Sequence, residues 1–231
     1  MRRLVIIAII AALPVSIGVN AQTIGLPDKP QAQDGADRVH GRFVAMGGRL
    51  REHRIACVQC HGMDGLAIPG GAVPRLDGQA AWYLYKALND YATGVRFHEI
   101  MTPVALQLDE HARRDVAAYY SSLQSLTVET PELDDASLRQ RGGAISAVGV
   151  PERGVAACQS CHGEAGRGDP PTVPVLAGQY APYTVLQLER WKEGRRDGDP
   201  LNVMQQIAVQ MSEEDIRAAA AYFEAVRRDG P

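Results

Sequence analysis

Apolar positions recur with helical spacing in four stretches of the chain. From Ile216 to Val226 they follow a start in which Ser212 precedes Asp215 by three residues, a capping-box pattern. Asp109 stands in the matching N-cap place ahead of Val116, Tyr120 and Leu123, which share one stripe of a helix. Two further amphipathic stretches, Ala81 to Tyr91 and Pro182 to Trp191, each follow a glycine–glutamine pair. No run alternates apolar and polar residues as a half-buried strand does. The pattern predicts an all-α protein with irregular connections.

The four stretches fall into two similar sets. Cys57-Val58-Gln59-Cys60-His61 returns as Cys158-Gln159-Ser160-Cys161-His162, 101 residues later, with Gly41 and Gly48 matching Gly142 and Gly149 at the same offset. Pro74-Arg75-Leu76-Asp77-Gly78-Gln79 mirrors Pro174-Val175-Leu176-Ala177-Gly178-Gln179 at an offset of 100, as do Tyr83 and Tyr183, Gly94 and Gly194, Arg96 and Arg196. At an offset of 103, Met101 matches Met204, Leu108 matches Met211, and Ala118-Tyr119-Tyr120 matches Ala221-Tyr222-Phe223. Small drifts of offset place insertions in loops, so this is a tandem duplication.

A chain of 231 residues accommodates two domains of about 100 residues each. The expected divisions are a signal peptide at 1–21, a flexible segment to Gly35, a first domain at 36–127, a linker at 128–135 and a second domain at 136–231. The linker region holds Pro131 and a run of acids. Arg2 and Arg3, the apolar run Leu4 to Leu13 and the small residues of Val19-Asn20-Ala21 form the secretory pattern, with cleavage expected after Ala21 and retention as an N-terminal anchor as the rival reading. The run is short for a membrane span. Cleavage removes two arginines and no acid, taking the formal charge from -3 to -5. An acidic exported chain lacks the basic face of a nucleic-acid binder.

Exported chains with four cysteines ordinarily form disulfides. Here all four lie in two Cys-x-x-Cys-His motifs, the pattern of c-type haem attachment. Two thiols three positions apart can bond the vinyl groups on one porphyrin edge, and the next histidine is then placed to ligate the iron. A redox dithiol is the rival reading of one copy; zinc is a poor rival, because further paired ligands are lacking. Cys57, Cys60, Cys158 and Cys161 are thus expected to hold two covalent haem c groups, with His61 and His162 as iron ligands.

For the sixth ligand, His162 is the second unit's one histidine, and its methionines are Met204 and Met211. Met211 aligns with Leu108 before a helix cap and is expected in the core. Met204 aligns with Met101, each about 40 residues beyond its haem histidine, so both are expected as ligands. In the first unit His98 competes with Met101, whereas Met63 stands too near His61 to reach the opposite face. His40, His53 and His111 have no histidine counterparts and are expected on the surface.

The doubled Cys-x-x-Cys-His-Gly and Pro-x-Leu-x-Gly-Gln motifs, the Gly-x-Arg turns and the methionines before capped final helices resemble the dihaem cytochrome c4 family over the mature sequence. The resemblance implies two tandem class I cytochrome c domains, each wrapped around one haem. It implies that the carbonyls of Pro74 and Pro174 accept from the proximal histidines, unless these prolines only shape a loop. It offers Arg96 and Arg196 as partners of haem propionates, against a reading as solvated loop arginines. Tyr83 and Tyr183 either reach propionates or pack. Lysines are few (Lys29, Lys86, Lys192), which leaves a lysine-ring docking mode in doubt.

Histidine–methionine ligation fills both axial positions, and nothing in the sequence reads as a catalytic set. The expected function is a periplasmic carrier of single electrons between soluble or membrane-bound redox proteins, touching membranes only by docking or an uncleaved signal. A dedicated haem subunit of a periplasmic dehydrogenase or oxidase is the alternative. A dihaem enzyme needs one labile or absent sixth ligand, which makes Met101 against His98 the discriminating feature.

Overall fold

A computed structural model describes residues 35–48, 55–124 and 135–228. The signal peptide expected at 1–21, the segment that follows it to residue 34, His53 and all of the expected linker but Asp135 lie outside the described residues. The described residues form ten α-helices, five in each unit, and their only β features are isolated bridges. No described helix is long and apolar enough to cross a membrane.

The first unit runs α1 (Arg38–Ala45), α2 (Val58–His61), α3 (Ala81–Thr93), α4 (Met101–Leu106) and α5 (Glu110–Ser121). The second repeats the order as α6 (Ala136–Val148), α7 (Gln159–His162), α8 (Ala181–Lys192), α9 (Val203–Gln210) and α10 (Glu213–Ala225). Side-chain caps set the starts of the first and last helices of each unit. Asp109 accepts from the Ala112 amide at 2.8 Å to open α5, while Ser212 and Asp215 form a reciprocal capping box for α10. Asp37 and Asp135 cap α1 and α6 in the same way. The offset between units grows from 100 at Arg196 to 103 at Met204 across the loop that holds the 3-10 turn Pro200–Asn202.

The first helix of each unit crosses the last, and a glycine makes each crossing close. A Cβ on Gly41 would lie 2.0 Å from the Asp115 carbonyl oxygen, and one on Gly142 the same distance from that of Ala218. Only a residue without a side chain permits such backbone contact. Val44, Leu84, Leu108 and Val116 form the first core, with Ile145, Leu188, Met211 and Ile216 in the equivalent second core. Met211 is 3% exposed, as its alignment with Leu108 led one to expect.

The units interlock through the two Pro-x-Leu-x-Gly-Gln segments. The Gln179 side chain accepts from the Arg75 amide and donates to its carbonyl, both at 3.0 Å. Gln79 does the same to Val175, at 2.9 and 3.0 Å. Each glutamine thus completes the backbone of the other unit's loop, satisfying groups that would otherwise be buried unpaired. Arg228, beyond α10, adds an ion pair to the fully buried Asp77 at 3.5 Å and donates to the Ala177 carbonyl at 2.6 Å.

Candidate haem sites

The motif helices α2 and α7 are single turns, each ended by a glycine at positive φ (Gly62 and Gly163, both 73°) directly after the histidine. In the first unit α5 fixes this turn from behind. Tyr119 and Tyr120 donate from their hydroxyls to the carbonyls of Met63 (2.6 Å) and Gly62 (3.2 Å). The thiols of Cys57 and Cys158 are half-buried, while Cys60 and Cys161 are exposed. No disulfide joins any two of them. Burial pushes the Cys57 and Cys158 thiols up to about 11, the reverse of the acidified cysteine that a redox dithiol requires.

His61 and His162 are buried at 7% and 8% exposure. Burial holds both below the usual histidine range and so favours the neutral ring. Nδ1 of His61 lies 3.1 Å from the Pro74 carbonyl, and Nδ1 of His162 lies 3.0 Å from that of Pro174. A carbonyl only accepts, so Nδ1 carries the proton and Nε2 keeps its lone pair free for a metal. One cavity runs through both units, lined by both histidines, all four cysteines, Met101 and Met204. Its walls are mainly apolar, with Leu84 and Val116 on one side and Leu188 and Phe223 on the other. A neutral imidazole beside two thiols, facing an apolar cavity that a methionine also lines, is a donor set that fits haem c twice over.

His98 also borders the cavity, but its Nδ1 is engaged. It accepts from the amides of Ile100 (3.1 Å) and Met101 (3.3 Å) and so caps α4. Asp199 serves α9 alike, accepting from the Met204 amide. The shared role explains a histidine where the second unit has none. Because Nδ1 accepts, the neutral ring carries its proton on Nε2 and has no lone pair left to ligate.

Arg96 and Arg196 are 3% and 7% exposed and meet as an antiparallel bridge between the units. They are therefore not solvated loop arginines. Arg96 donates to Tyr183 (3.1 Å) and Gln187 (2.5 Å); Arg196 donates to Tyr83 (3.1 Å) and the same Gln187 oxygen (2.9 Å). Each guanidinium also stacks on an aromatic ring, Tyr91 at 4.6 Å and Trp191 at 3.6 Å. Burial would raise the Tyr83 hydroxyl, but Arg196 and Arg96 outweigh it and draw it below its ordinary value. The two tyrosines thus bond across the interface. Gln79, Gln179 and Gln187 carry roles that the sequence reading missed. The repeat of the first two was the available signal; Gln187 had none.

The cytochrome c family profile matches residues 54–124 and 154–227. This chain belongs to the cytochrome c family. Similarity to solved structures places it with the dihaem cytochromes c4. Over 83% of its length it matches all of a reduced cytochrome c4 from Pseudomonas stutzeri, at 30% identity and a TM-score of 0.71. It also matches a thiosulfate dehydrogenase structure from Marichromatium purpuratum at 33% identity and a TM-score of 0.76, covering 83% of this chain but 40% of that one. Among curated proteins, a thiosulfate dehydrogenase electron acceptor of Stutzerimonas stutzeri (strain A1501) is 34% identical over 188 residues, 81% of this chain and 87% of that protein. As a two-domain member of the family, the cytochrome carries two covalent haem c groups, one for each Cys-x-x-Cys-His pair, and its function is electron transfer.

Proposed function

We propose that this cytochrome is a periplasmic one-electron shuttle and not an enzyme, with both irons closed to exogenous ligands. In this reading Cys57 and Cys60 tether the first haem and Cys158 and Cys161 the second. His61 and Met101 are the axial ligands in one unit, His162 and Met204 in the other. Bound there, haem c supplies a one-electron couple at iron. The chain's own residues keep the imidazoles neutral and oriented through the Pro74 and Pro174 carbonyls, and they exclude water with apolar walls. Arg96 and Arg196 are the cations against which propionates would be compensated, because their protein partners are neutral and Arg96 Nε is buried without a partner among the described residues.

The observation that carries the reading is the doubled arrangement: in each unit a proline-held imidazole and a cap-held methionine line the same cavity. A spectroscopic redox titration of the holoprotein tests it. The expected result is two one-electron steps, a methionine-to-iron charge-transfer band in the oxidised form, and no ligand uptake. Stoichiometric binding of carbon monoxide by the reduced protein, or of peroxide by the resting one, at either centre overturns it.

One observation favours a narrower role. The Stutzerimonas stutzeri relative, whose name makes it the electron acceptor of a thiosulfate dehydrogenase, aligns over both units. On that basis a periplasmic dehydrogenase is the donor, and stable co-purification with such an enzyme is the result to look for.

A further inference from the structure

The crossing of α1 and α5 brings together three side chains that take no part in the haem sites. Asp115, on α5, is fully buried. Its Oδ1 accepts from the Asp37 amide at 2.8 Å. Its Oδ2 faces two imidazole nitrogens, Nδ1 of His40 at 2.5 Å and Nε2 of His111 at 3.2 Å. One ligand atom from each of the three residues lies within 4.8 Å of the other two. The histidine rings stack at 5.6 Å. His111 lies on the surface as expected, at 61% side-chain exposure, whereas His40 does not, at 19%.

The second unit answers the same crossing with different chemistry. At an offset of 101, His40 becomes Arg141; at 103, His111 becomes Glu214 and Asp115 becomes Ala218. The buried carboxylate there is Asp215, one turn earlier than the Asp115 position. It is bound by the permanent cations Arg141, at 2.6 Å, and Arg153. A buried carboxylate needs compensation. Among the described residues of the first unit no arginine or lysine pairs with Asp115; the groups against its carboxylate are an amide and two imidazoles, and each imidazole can offer a lone pair to a metal. Nε2 of His40 is buried with no partner among the described residues, so no second hydrogen bond holds that ring against small reorientation.

We propose that His40, His111 and Asp115 form a binding site for a divalent transition-metal ion, of the zinc class. Two nitrogens and one carboxylate oxygen suit zinc better than calcium or magnesium. The exposure of His111 gives the ion an entry path and leaves the fourth position to water. Binding displaces the proton shared by His40 and Asp115, and a small opening of that contact accommodates the ion.

The test is calorimetric titration of the chelator-stripped holoprotein with zinc chloride, with thermal melting run in parallel. One zinc ion is expected to bind per chain and to raise the melting temperature. His111→Ala removes an exposed ligand outside the core. It should leave the haem spectrum unchanged and lower the zinc-free melting temperature only slightly, weaken zinc binding at least about tenfold, and abolish the melting shift. Affinity no tighter than millimolar in the unaltered protein, or equal affinity in His111→Ala, overturns the proposal. As a second check, copper(II) in place of zinc should show two-nitrogen hyperfine structure in its resonance spectrum, reduced to one nitrogen in the variant. Unchanged hyperfine structure also overturns it.

Discussion

Arg96 of the first unit donates to the Tyr183 hydroxyl of the second over 3.1 Å, and the duplicated pair, Arg196 and Tyr83, repeats the bond in the opposite direction over the same distance. Two buried cations are thereby held side by side, sharing one oxygen of Gln187. Neutral acceptors and ring faces there stand in for the lost hydration. The interface is therefore both a structural joint and an electropositive floor for the cavity that both haem motifs line.

Tyr183→Phe should weaken the joint without emptying it, because Arg96 keeps Gln187 and the Tyr91 face. The expected cost is about 1–3 kcal/mol for a buried donor that loses a partner. Denaturant unfolding of the holoprotein measures it, and an unchanged midpoint contradicts the assigned bond.

Met204→Ala and Met101→Ala should each remove about half of the methionine-to-iron charge-transfer intensity and make one haem high-spin or water-ligated. His98→Ala should keep the full band, since its Nδ1 serves as a helix cap, and should cost about 1 kcal/mol of stability. Absorbance of the oxidised protein separates the outcomes. Loss of the band in His98→Ala alone would exchange the assignments.

Replacing Cys57 and Cys60 together should lower the intact mass by one haem, with the second haem retained through Cys158 and Cys161. Mass spectrometry of the purified protein reads this directly.

Gly142→Ala should be severely destabilising, because the new methyl would sit 2.0 Å from the Ala218 carbonyl oxygen. Its neighbour is the control. A Cβ on Gly143 meets only the Tyr222 ring, at 3.3 Å, and the ring can yield. Forced overpacking costs about 1–3 kcal/mol or more, whereas Gly143→Ala should be near neutral or stabilising through its gain in helix propensity. Comparative melting of the two variants decides.

Asp215 sets an acid limit. Burial acts to raise its carboxyl, but the Ser212 hydroxyl and amide, with Arg141 and Arg153, overcome this and hold it at about 2. A carboxyl depressed on folding stabilises the protein above its unfolded value near 4, and that contribution fades as pH falls towards 2. The span corresponds to about 2 kcal/mol. Asp215→Asn should lower stability at neutral pH and flatten its decline over that acid window, as followed by unfolding free energy against pH.

The chemistry of attachment was legible in the chain because it is local. Cys-x-x-Cys-His fixes thiols and imidazole within one helical turn, and the caps at Asp109 and Ser212 each act on the amide three residues away. The duplication then singled out Met101 and Met204 without reference to any fold. Three features depended on how separated segments dock: Gln79 and Gln179 crossing between loops, His40 meeting His111 on Asp115, and Arg228 returning to Asp77. Nothing in the periodicity of α1 says which residues of α5 it will touch, since crossing angle and depth arise only when Gly41 lets two backbones meet. Two haem-binding helical units were written into the chain's local patterns; how their polar side chains exchange partners arose on packing, because burial makes those choices and burial is a property of the packed whole.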